Sequence, residues 1–303
     1  MRIFLTGATG VLGRRALPLL TGAGHSVTAV ARRPQSRADL AREGASPIEL
    51  DLFDANAVGK AVAGHDAVIN LATHLPAGFR AFLPGAWKEN DRIRRVVSAN
   101  LVDAALAGGA ARFIQESFAP VYPDRGDQWI DERVPIAPVA YNRTVVDAER
   151  SAERFSGGGG TGVVLRFALL YGPDSWFTRD LIRYVRRGWA QVPGAADAYI
   201  SSVSHDDAAA AVVAALGAAP GIYNVVDDEP MRRREFFDSL AGVLGVPPPR
   251  LPPPWLKYLF GSLGGMLARS LRISNRKLRD ACGWTPRYPS MREGWPAVVA
   301  ALR

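Results

Sequence analysis

The chain has 303 residues, of which 48% are hydrophobic and 22% are charged, and this composition is typical of a globular protein rather than a disordered one. The length suffices for one large domain that carries a smaller one. A formal net charge of +8 raises the question of a nucleic-acid partner. The arginines are spread along the chain without basic runs interleaved with aromatics, so we expect no nucleic-acid partner.

The cysteine and histidine content bears on whether the protein has disulfides or a metal site. The single cysteine, Cys282, excludes an internal disulfide, and the four histidines show no metal-ligand spacing, so we expect no metal. The strand-like start at residues 1–5 leaves no room for a secretory signal peptide. We therefore expect a cytoplasmic protein without a membrane segment.

The first half of the chain alternates short apolar runs with helical patterns. The strand-like runs are 2–5, 26–31, 47–50, 67–71, 112–115 and 162–167. Helical patterns cover 11–20 and 92–107, and another helix begins near Tyr141. This alternation predicts right-handed βαβ units, and hence an α/β fold with a doubly wound parallel Rossmann-type sheet.

After the turn Tyr171-Gly172-Pro173 the alternation becomes less regular, and helical stretches follow at 178–188, 206–216 and 231–244. We expect a dinucleotide-binding domain over residues 1–173 and a smaller C-terminal substrate-binding domain over 174–303. The apolar run 221–226 is suited to a buried strand, so residues 200–226 are expected to rejoin the first domain.

A glycine-rich loop, TGATGVLG, stands between the first strand and the first helix. Gly7 permits a tight turn, Gly10 lets the backbone approach a pyrophosphate, and Gly13 allows close packing of helix on strand. The helix N-terminus adds N–H donors and the positive end of a dipole. The loop therefore predicts a dinucleotide site. Its cofactor-binding residues are Thr6, Gly7, Thr9, Gly10, Val11, Leu12 and Gly13.

Residues after the second strand decide which dinucleotide is favoured. An acidic side chain there would bind the ribose 2′-hydroxyl of NAD, but the sequence has Arg32 and Arg33 and no Asp or Glu between Gly7 and Asp39. Two guanidinium groups suit a 2′-phosphate, so NADP(H) is favoured over NAD(H). Arg14 is a further candidate for this pocket. The adenine and ribose–pyrophosphate edge is assigned to Asp51, Leu52, Leu71 and Ala72.

These features resemble the extended short-chain dehydrogenase/reductases, which include the NAD-dependent epimerases and dehydratases. The resemblance spans nearly the whole chain. Besides the glycine loop, it rests on Asp51-Leu52, Asn70-Leu71-Ala72, 113–122, Leu165-Arg166, Tyr171-Gly172-Pro173, 203–207 and Gly283-Trp284-Thr285-Pro286. It implies a small-molecule substrate and a homodimer.

The same resemblance implies a catalytic Tyr, a Lys four residues later that lowers the pKa of the Tyr, and a Ser or Thr that holds the substrate oxygen. Tyr141 matches the Tyr, whereas Val145 occupies the Lys position. Phe118 occupies the Ser/Thr position, and Ser117 is its hydroxyl-bearing neighbour. We name Tyr141 and Ser117 as the catalytic candidates. Without the lysine, a Tyr near its reference pKa of about 10 donates a proton but is a poor base.

Three functions stay open. In the first, Tyr141 donates a proton during NADPH-dependent carbonyl reduction and an arginine substitutes for the lysine. In the second, the chain is an enzyme that uses other groups, such as Tyr122, Asp124 or Glu132. In the third, it binds NADP(H) without catalysis and senses it or holds a partner. The apolar stretch 255–267, if it lines the cleft, favours an apolar or aromatic substrate.

Overall fold

The computed structural model describes residues 1–76, 78–83, 85–191 and 193–302. The strands are β1 (Arg2–Thr6), β2 (Ser26–Val30), β3 (Ser46–Ile48), β4 (Ala67–Asn70), β5 (Arg112–Phe118), β6 (Trp129–Ile130), β7 (Thr161–Phe167), β8 (Leu169–Tyr171), β9 (Tyr199–Ile200), β10 (Ser202–Ser204), β11 (Gly221–Val225), β12 (Met231–Arg232) and β13 (Arg272–Ile273). The helices are α1 (Gly13–Gly22), α2 (Pro34–Arg42), α3 (Ala55–Val62), α4 (Lys88–Arg92), α5 (Ser98–Ala107), α6 (Val145–Gly157), α7 (Trp176–Arg186), α8 (His205–Ala214), α9 (Arg233–Leu244), α10 (Gly261–Leu267), α11 (Arg276–Cys282) and α12 (Met291–Ala300). Short 3-10 turns lie at Gly78–Phe82, Ala119–Val121, Ala215–Gly217 and Pro254–Phe260, and a π-helical turn lies at Ile93–Val97.

Seven strands form one parallel sheet in the order β3-β2-β1-β4-β5-β7-β11. This architecture confirms the predicted α/β fold with a doubly wound parallel sheet. The strand order reverses between β1 and β4, where Thr6 lies beside Asn70. Open parallel sheets bind ligands in the crevice beyond the carboxyl ends of the strands at such a reversal. The strand order therefore predicts a ligand site at the loops that follow β1 and β4.

Helices cover both faces of the sheet. On one face Ile3 and Leu5 pack against α1 and α8, and on the other Phe4 packs against α3, α5 and α6. Successive residues of a strand point to opposite faces, so a strand that is covered on both faces is mostly apolar. That requirement explains the apolar character of β1 and β4, whereas β5 carries the polar segment Gln115-Glu116-Ser117.

A separate apolar cluster lies under α7, α9 and α12, beside the sheet. Its centre is aromatic: the ring of Trp295 lies 5.4 Å from that of Tyr171 and 5.8 Å from that of Phe236. The chain passes between this cluster and the sheet more than once. After β8 it forms α7, and β11 then pairs with β7 as the last strand of the sheet.

Two helix starts differ from the sequence patterns. The helix expected near Tyr141 begins at Val145, because the Asn142 side chain accepts a hydrogen bond from the Val139 backbone N–H (2.8 Å) and holds a turn there. The pattern at 92–107 begins earlier, at Lys88, and is broken by the π-helical turn. Among the described residues no helix combines the length and the apolar character needed to cross a membrane.

Candidate active site

The glycine loop is closed so tightly that side chains are excluded from two of its positions. A Cβ atom on Gly7, which has a φ of +70°, would lie 2.3 Å from the Leu71 carbonyl oxygen after β4. A Cβ atom on Gly13 would lie 2.2 Å from the Gly7 carbonyl oxygen. Thr9 and Gly10 at the tip are exposed. The loop thus presents bare backbone at the start of α1, where helical N–H groups lack partners within the helix.

Contacts behind the loop fix its position on the sheet. The Thr6 hydroxyl donates to the Asn70 side-chain oxygen (2.6 Å), which also accepts from the Ala72 backbone N–H (3.2 Å). Leu12 is buried, whereas Val11 is half-buried. The predicted residues after β1 and after β4 therefore lie together, on the two sides of the strand-order reversal.

At the end of β2, Arg32 and Arg33 are exposed, and their side chains make no hydrogen bond or ion pair with any residue that the structure describes. Their neighbours differ, because Arg37 pairs with Glu49 and Arg42 pairs with Asp39. Nearby acids are thus engaged by other arginines. The two guanidinium groups are left available to an external anion.

The remaining residues that the sequence predicts for the adenosine side, Asp51 and Leu52, lie after β3. The Asp51 carboxylate accepts a hydrogen bond from the Phe53 backbone N–H (2.9 Å), which shapes the turn. The Leu52 carbonyl accepts from the Asn100 side chain (3.0 Å). This edge of the crevice is held by α5, the helix that carries Asn100.

Arg14 does not join the pair at the end of β2. It forms an ion pair with Asp174 (2.9 Å), and Arg15 binds both Asp174 (2.7 Å) and Asp206 (2.6 Å). The hydrogen bond from Arg15 holds the pKa of Asp174 well below its usual range. Beside this cluster, burial lowers the pKa of His205 to about 4, so His205 is neutral at pH 7. The cluster ties α1 to the turn after β8.

Tyr141 lies in the turn before α6, with its ring 4.2 Å from the ring of Trp87 in an edge arrangement. Burial raises the pKa of its hydroxyl, while the positive charge of Arg94 acts in the opposite direction. Val145 is fully buried at the position of the missing lysine. The Thr144 hydroxyl donates to Asp91 (2.6 Å), which fastens this turn to α4.

Ser117, the second catalytic candidate, belongs to a buried hydrogen-bond network. Its hydroxyl donates to Glu149 (2.5 Å), and Glu149 also forms a bidentate pair with Arg166 (2.7 and 2.8 Å). Arg166 donates onward to the Tyr122 hydroxyl (2.8 Å), which donates to Asn224 (2.9 Å). The Ser117 hydroxyl, which is predicted from the sequence to hold a substrate oxygen, is thus hydrogen-bonded within this network.

A sequence model of the NAD dependent epimerase/dehydratase family matches residues 3–225 of the chain. The chain belongs to this family. It is 33% identical to a 3-diazoavenalumate denitrifying reductase of a Streptomyces species, over 97% of this chain and 99% of that protein. It is 29% identical to a 2-alkyl-3-oxoalkanoate reductase of Stenotrophomonas maltophilia, over 82% of this chain and 77% of that one. In structure it resembles the human epimerase family protein SDR39U1 solved with NADPH, at a TM-score of 0.82, 20% identity and 99% coverage of both chains.

Family membership makes a nicotinamide dinucleotide the cofactor class, and the glycine loop fits it. Gly7 and Gly13 let the loop pack directly on the chain after β4 and on its own backbone, which leaves Thr9 and Gly10 exposed just before the start of α1. A pyrophosphate would be held by this loop, and the adenosine half would extend toward the end of β2. The nicotinamide half would then extend toward β5 and the Tyr141 turn.

Two charged residues near Tyr141 were missed at the sequence level. Arg94 is only 5% exposed although it lies on a helix, and Glu116 lies within strand β5. Burial raises the pKa of Glu116, and the charge of Arg94 partly opposes that rise. The available signal for Glu116 was a polar segment, Gln115-Glu116-Ser117, that follows the apolar pair Phe113-Ile114 within one strand. For Arg94 the signal was weaker, because three arginines at positions 92, 94 and 95 suggest a solvated helix face.

The alternative catalytic residues have structural partners. The Glu132 carboxylate accepts from the Asn224 backbone N–H (2.8 Å), and the Asp124 carboxylate accepts from the Ser270 backbone N–H (3.1 Å). Tyr122 is fully buried, and burial raises the pKa of its hydroxyl to about 12. These groups tie the chain after β5 to strand β11 and to the segment that follows α10.

A groove of about 1710 Å³ runs along the outer strand β11. Glu149 and Arg166 form part of its lining, together with Lys277 and other charged side chains of both signs. It lies across β7 and β11, away from the strand-order reversal and from the glycine loop. The volume of this groove is therefore not evidence that it is the cofactor site.

The apolar stretch 255–267 lies next to the Tyr141 turn. The Asn142 side chain contacts the Met266 sulfur (3.4 Å). Just beyond, Arg269 donates to the backbone carbonyls of Pro120 (3.1 Å) and Tyr122 (2.7 Å), at the end of β5. Outward from these anchors, Tyr258 and Leu259 are 75% and 70% exposed. The stretch thus combines a fixed end at the candidate site with an exposed apolar surface.

Proposed function

We propose that this family member is an NADPH-dependent reductase of a small apolar carbonyl compound and that Tyr141 is its proton donor. The observation that carries the proposal is the pair of exposed, unpartnered guanidinium groups of Arg32 and Arg33 at the end of β2. They stand where the 2′ position of an adenosine ribose lies in this fold, near the glycine loop. A phosphate binds such a pair through charge-assisted hydrogen bonds.

The proposed reaction transfers one hydride and one proton. NADPH, when bound, would supply the hydride for the carbonyl carbon and would thereby become NADP+. Tyr141 donates its hydroxyl proton to the carbonyl oxygen, so the product is an alcohol, and solvent returns the proton to Tyr141. Burial raises the pKa of Tyr141, so the hydroxyl is protonated at neutral pH and available as an acid.

The substrate side of the proposal rests on the apolar stretch and on the relatives. The contact between Asn142 and Met266 places the apolar stretch 255–267 next to the Tyr141 turn. An apolar group of a substrate bound at Tyr141 could therefore pack against this stretch. The name of one relative specifies an alkyl-substituted oxoalkanoate. A ketone or related electrophile with an apolar substituent fits both observations. Sugar nucleotides, with two phosphates and a polar ring, do not fit an apolar surface.

Two observations favour a second candidate, a protein that binds NADP(H) without turnover. Val145 is fully buried where the resemblance places a lysine, and the Ser117 hydroxyl is bonded to Glu149. The two candidates differ in whether Tyr141 affects turnover.

The test measures NADPH consumption with a panel of aldehydes and ketones of increasing apolar size. We expect Tyr141→Phe to lower kcat by about a hundredfold or more, the usual contribution of a positioned proton donor, with little change in NADPH affinity. Tyr184→Phe, on the exposed side of α7, is the matched control and is expected to retain activity. Full turnover by Tyr141→Phe would overturn the assignment of Tyr141. NADPH binding without turnover of any compound would favour the second candidate.

A further inference from the structure

The position of the missing lysine is closed to a cation. Val145 is fully buried, so a charged side chain there would lose its hydration. No lysine occurs between Lys88 and Lys257 in the sequence. A positive charge beside Tyr141 therefore has to come from an arginine on another element.

One face of the α4–π–α5 segment points toward Tyr141. Trp87, Asp91, Arg94 and Ser98 follow one another at spacings of four, three and four residues, which place them on one side of a helix. At one end, the Trp87 ring contacts the Tyr141 ring and Asp91 binds Thr144. At the other end, the Ser98 hydroxyl accepts from the Asn70 side chain (3.3 Å) at the end of β4. Arg94 lies between these two anchors, hence between the end of β4 and the Tyr141 turn.

The Arg94 side chain is in an unusual state for an arginine. It is 5% exposed, yet it forms no hydrogen bond or ion pair with any residue in the described part of the chain. Its neighbour Arg95 shows the ordinary arrangement, half-exposed and paired with Asp147 (3.0 Å). Burying a charged side chain without a partner costs folding free energy. The π-helical turn that carries Arg94 is a feature common at functional sites.

We propose that Arg94 is a positioning residue whose buried positive charge serves, beside Tyr141, the role of the lysine that the family pattern places at position 145. This inference rests on the proposed role of Tyr141 as the proton donor. Arg94 favours the negatively charged form of the Tyr141 hydroxyl and so makes it a stronger acid toward the substrate oxygen. The guanidinium acts through Tyr141 and needs no contact with the substrate.

The surrounding charges permit this role. Glu116 is the acid whose charge interacts with that of Arg94, and no ion pair joins them among the described residues. Burial raises the pKa of Glu116, which weakens its carboxylate as a partner for Arg94. Asp91 is engaged by Thr144, and Asp147 by Arg95. The charge of Arg94 therefore acts mainly on Glu116 and Tyr141.

The experiment places 3,5-difluorotyrosine at position 141 of the full chain and follows its fluorine resonance against pH. Fluorine withdraws electron density and brings the phenol titration into a range where the protein stays folded. We expect Arg94→Met to raise the titration midpoint by about one pH unit, the size expected when an adjacent opposite charge is lost. Arg94→Lys keeps the charge and is expected to restore most of the shift. Arg95→Met, one residue away, is the control and is expected to leave the midpoint unchanged.

Turnover of the natural-tyrosine protein supplies the second readout. Arg94→Met is expected to lower kcat about tenfold with KM within about twofold, because one pKa unit of donor strength changes the proton-transfer step and not substrate binding. Equal midpoints in Arg94→Met and Arg95→Met would overturn the inference. Should Arg94→Met not fold, Arg94→Gln replaces it with the same expectations. The protein could also show the expected shift of the Tyr141 midpoint in Arg94→Met and yet reduce no carbonyl compound. That result would support the effect of Arg94 on Tyr141 and contradict the reductase proposal.

Discussion

Gly7 and Gly13 are the residues where the candidate cofactor site tolerates least change. Their missing side chains let the loop touch both β4 and its own carbonyl groups. The glycine loop could be predicted from the sequence, because the spacing of the glycines and their place between strand and helix are local features. The same holds for Arg32 and Arg33, whose position follows directly from the end of β2.

The first prediction concerns Gly7. Gly7→Ala would place a Cβ atom 2.3 Å from the Leu71 carbonyl oxygen at a φ of +70°. We expect a loss of about 1–3 kcal/mol in the free energy of unfolding, and NADPH affinity should fall because the backbone must shift. Gly22→Ala is the control, since no atom lies within 4 Å of its Cβ position. Denaturant unfolding and calorimetric titration measure both effects, and a Gly7→Ala protein as stable as Gly22→Ala would contradict the close packing.

The hydrogen-bond partners of Ser117 could not be predicted from residue types alone. A hydroxyl one residue from the family position suggests a catalytic role, but Glu149, Arg166 and Asn224 come from distant parts of the chain and engage the network that contains it. Such partners are set by strand order and by the packing of α6 on the sheet. Arg94 was missed for the related reason that burial on one helix face depends on which element covers it.

At the scale of elements, strand positions were predicted better than helix starts. Buried parallel strands are mostly apolar on both faces, which gives a strong signal in a short window. The helix after Tyr141 begins four residues later than expected, because Asn142 closes a turn before it. That local hydrogen bond competes with helix formation, and apolar periodicity does not register it.

The apolar stretch 255–267 gives an element-scale prediction. If it covers the apolar part of the substrate, the double variant Tyr258→Ser/Leu259→Ser should lower kcat/KM for a long-chain ketone about tenfold, roughly the loss of 1–2 kcal/mol of apolar burial. For a short-chain ketone the change should stay within about twofold. Leu19→Ser, on the exposed side of α1, is the control for an exposed leucine elsewhere. Equal losses for long and short substrates would remove the stretch from substrate binding.

At the scale of the whole molecule, the strand-order reversal explains the location of the site. β1 and β4 deliver the glycine loop and Leu71 to one crevice, and β2 delivers the arginine pair to one end of it. Tyr141 and Arg94 lie beyond β5 at the other end. The division at residue 173, the homodimer and the cytoplasmic location stay predictions. So does the sequence-derived preference for NADP(H), which the arginine pair motivates.

The central claim is tested most directly by calorimetric titration of the purified chain with NADPH and with NADH. We predict that NADPH binds about ten- to a hundredfold more tightly, as expected for charge-assisted hydrogen bonds to a 2′-phosphate. The variant Arg32→Ala/Arg33→Ala should remove this difference and leave NADH affinity unchanged, whereas Arg37→Ala, whose guanidinium pairs with Glu49, should preserve it. Equal affinity for the two dinucleotides in the unaltered chain, or no binding of either, would contradict the account.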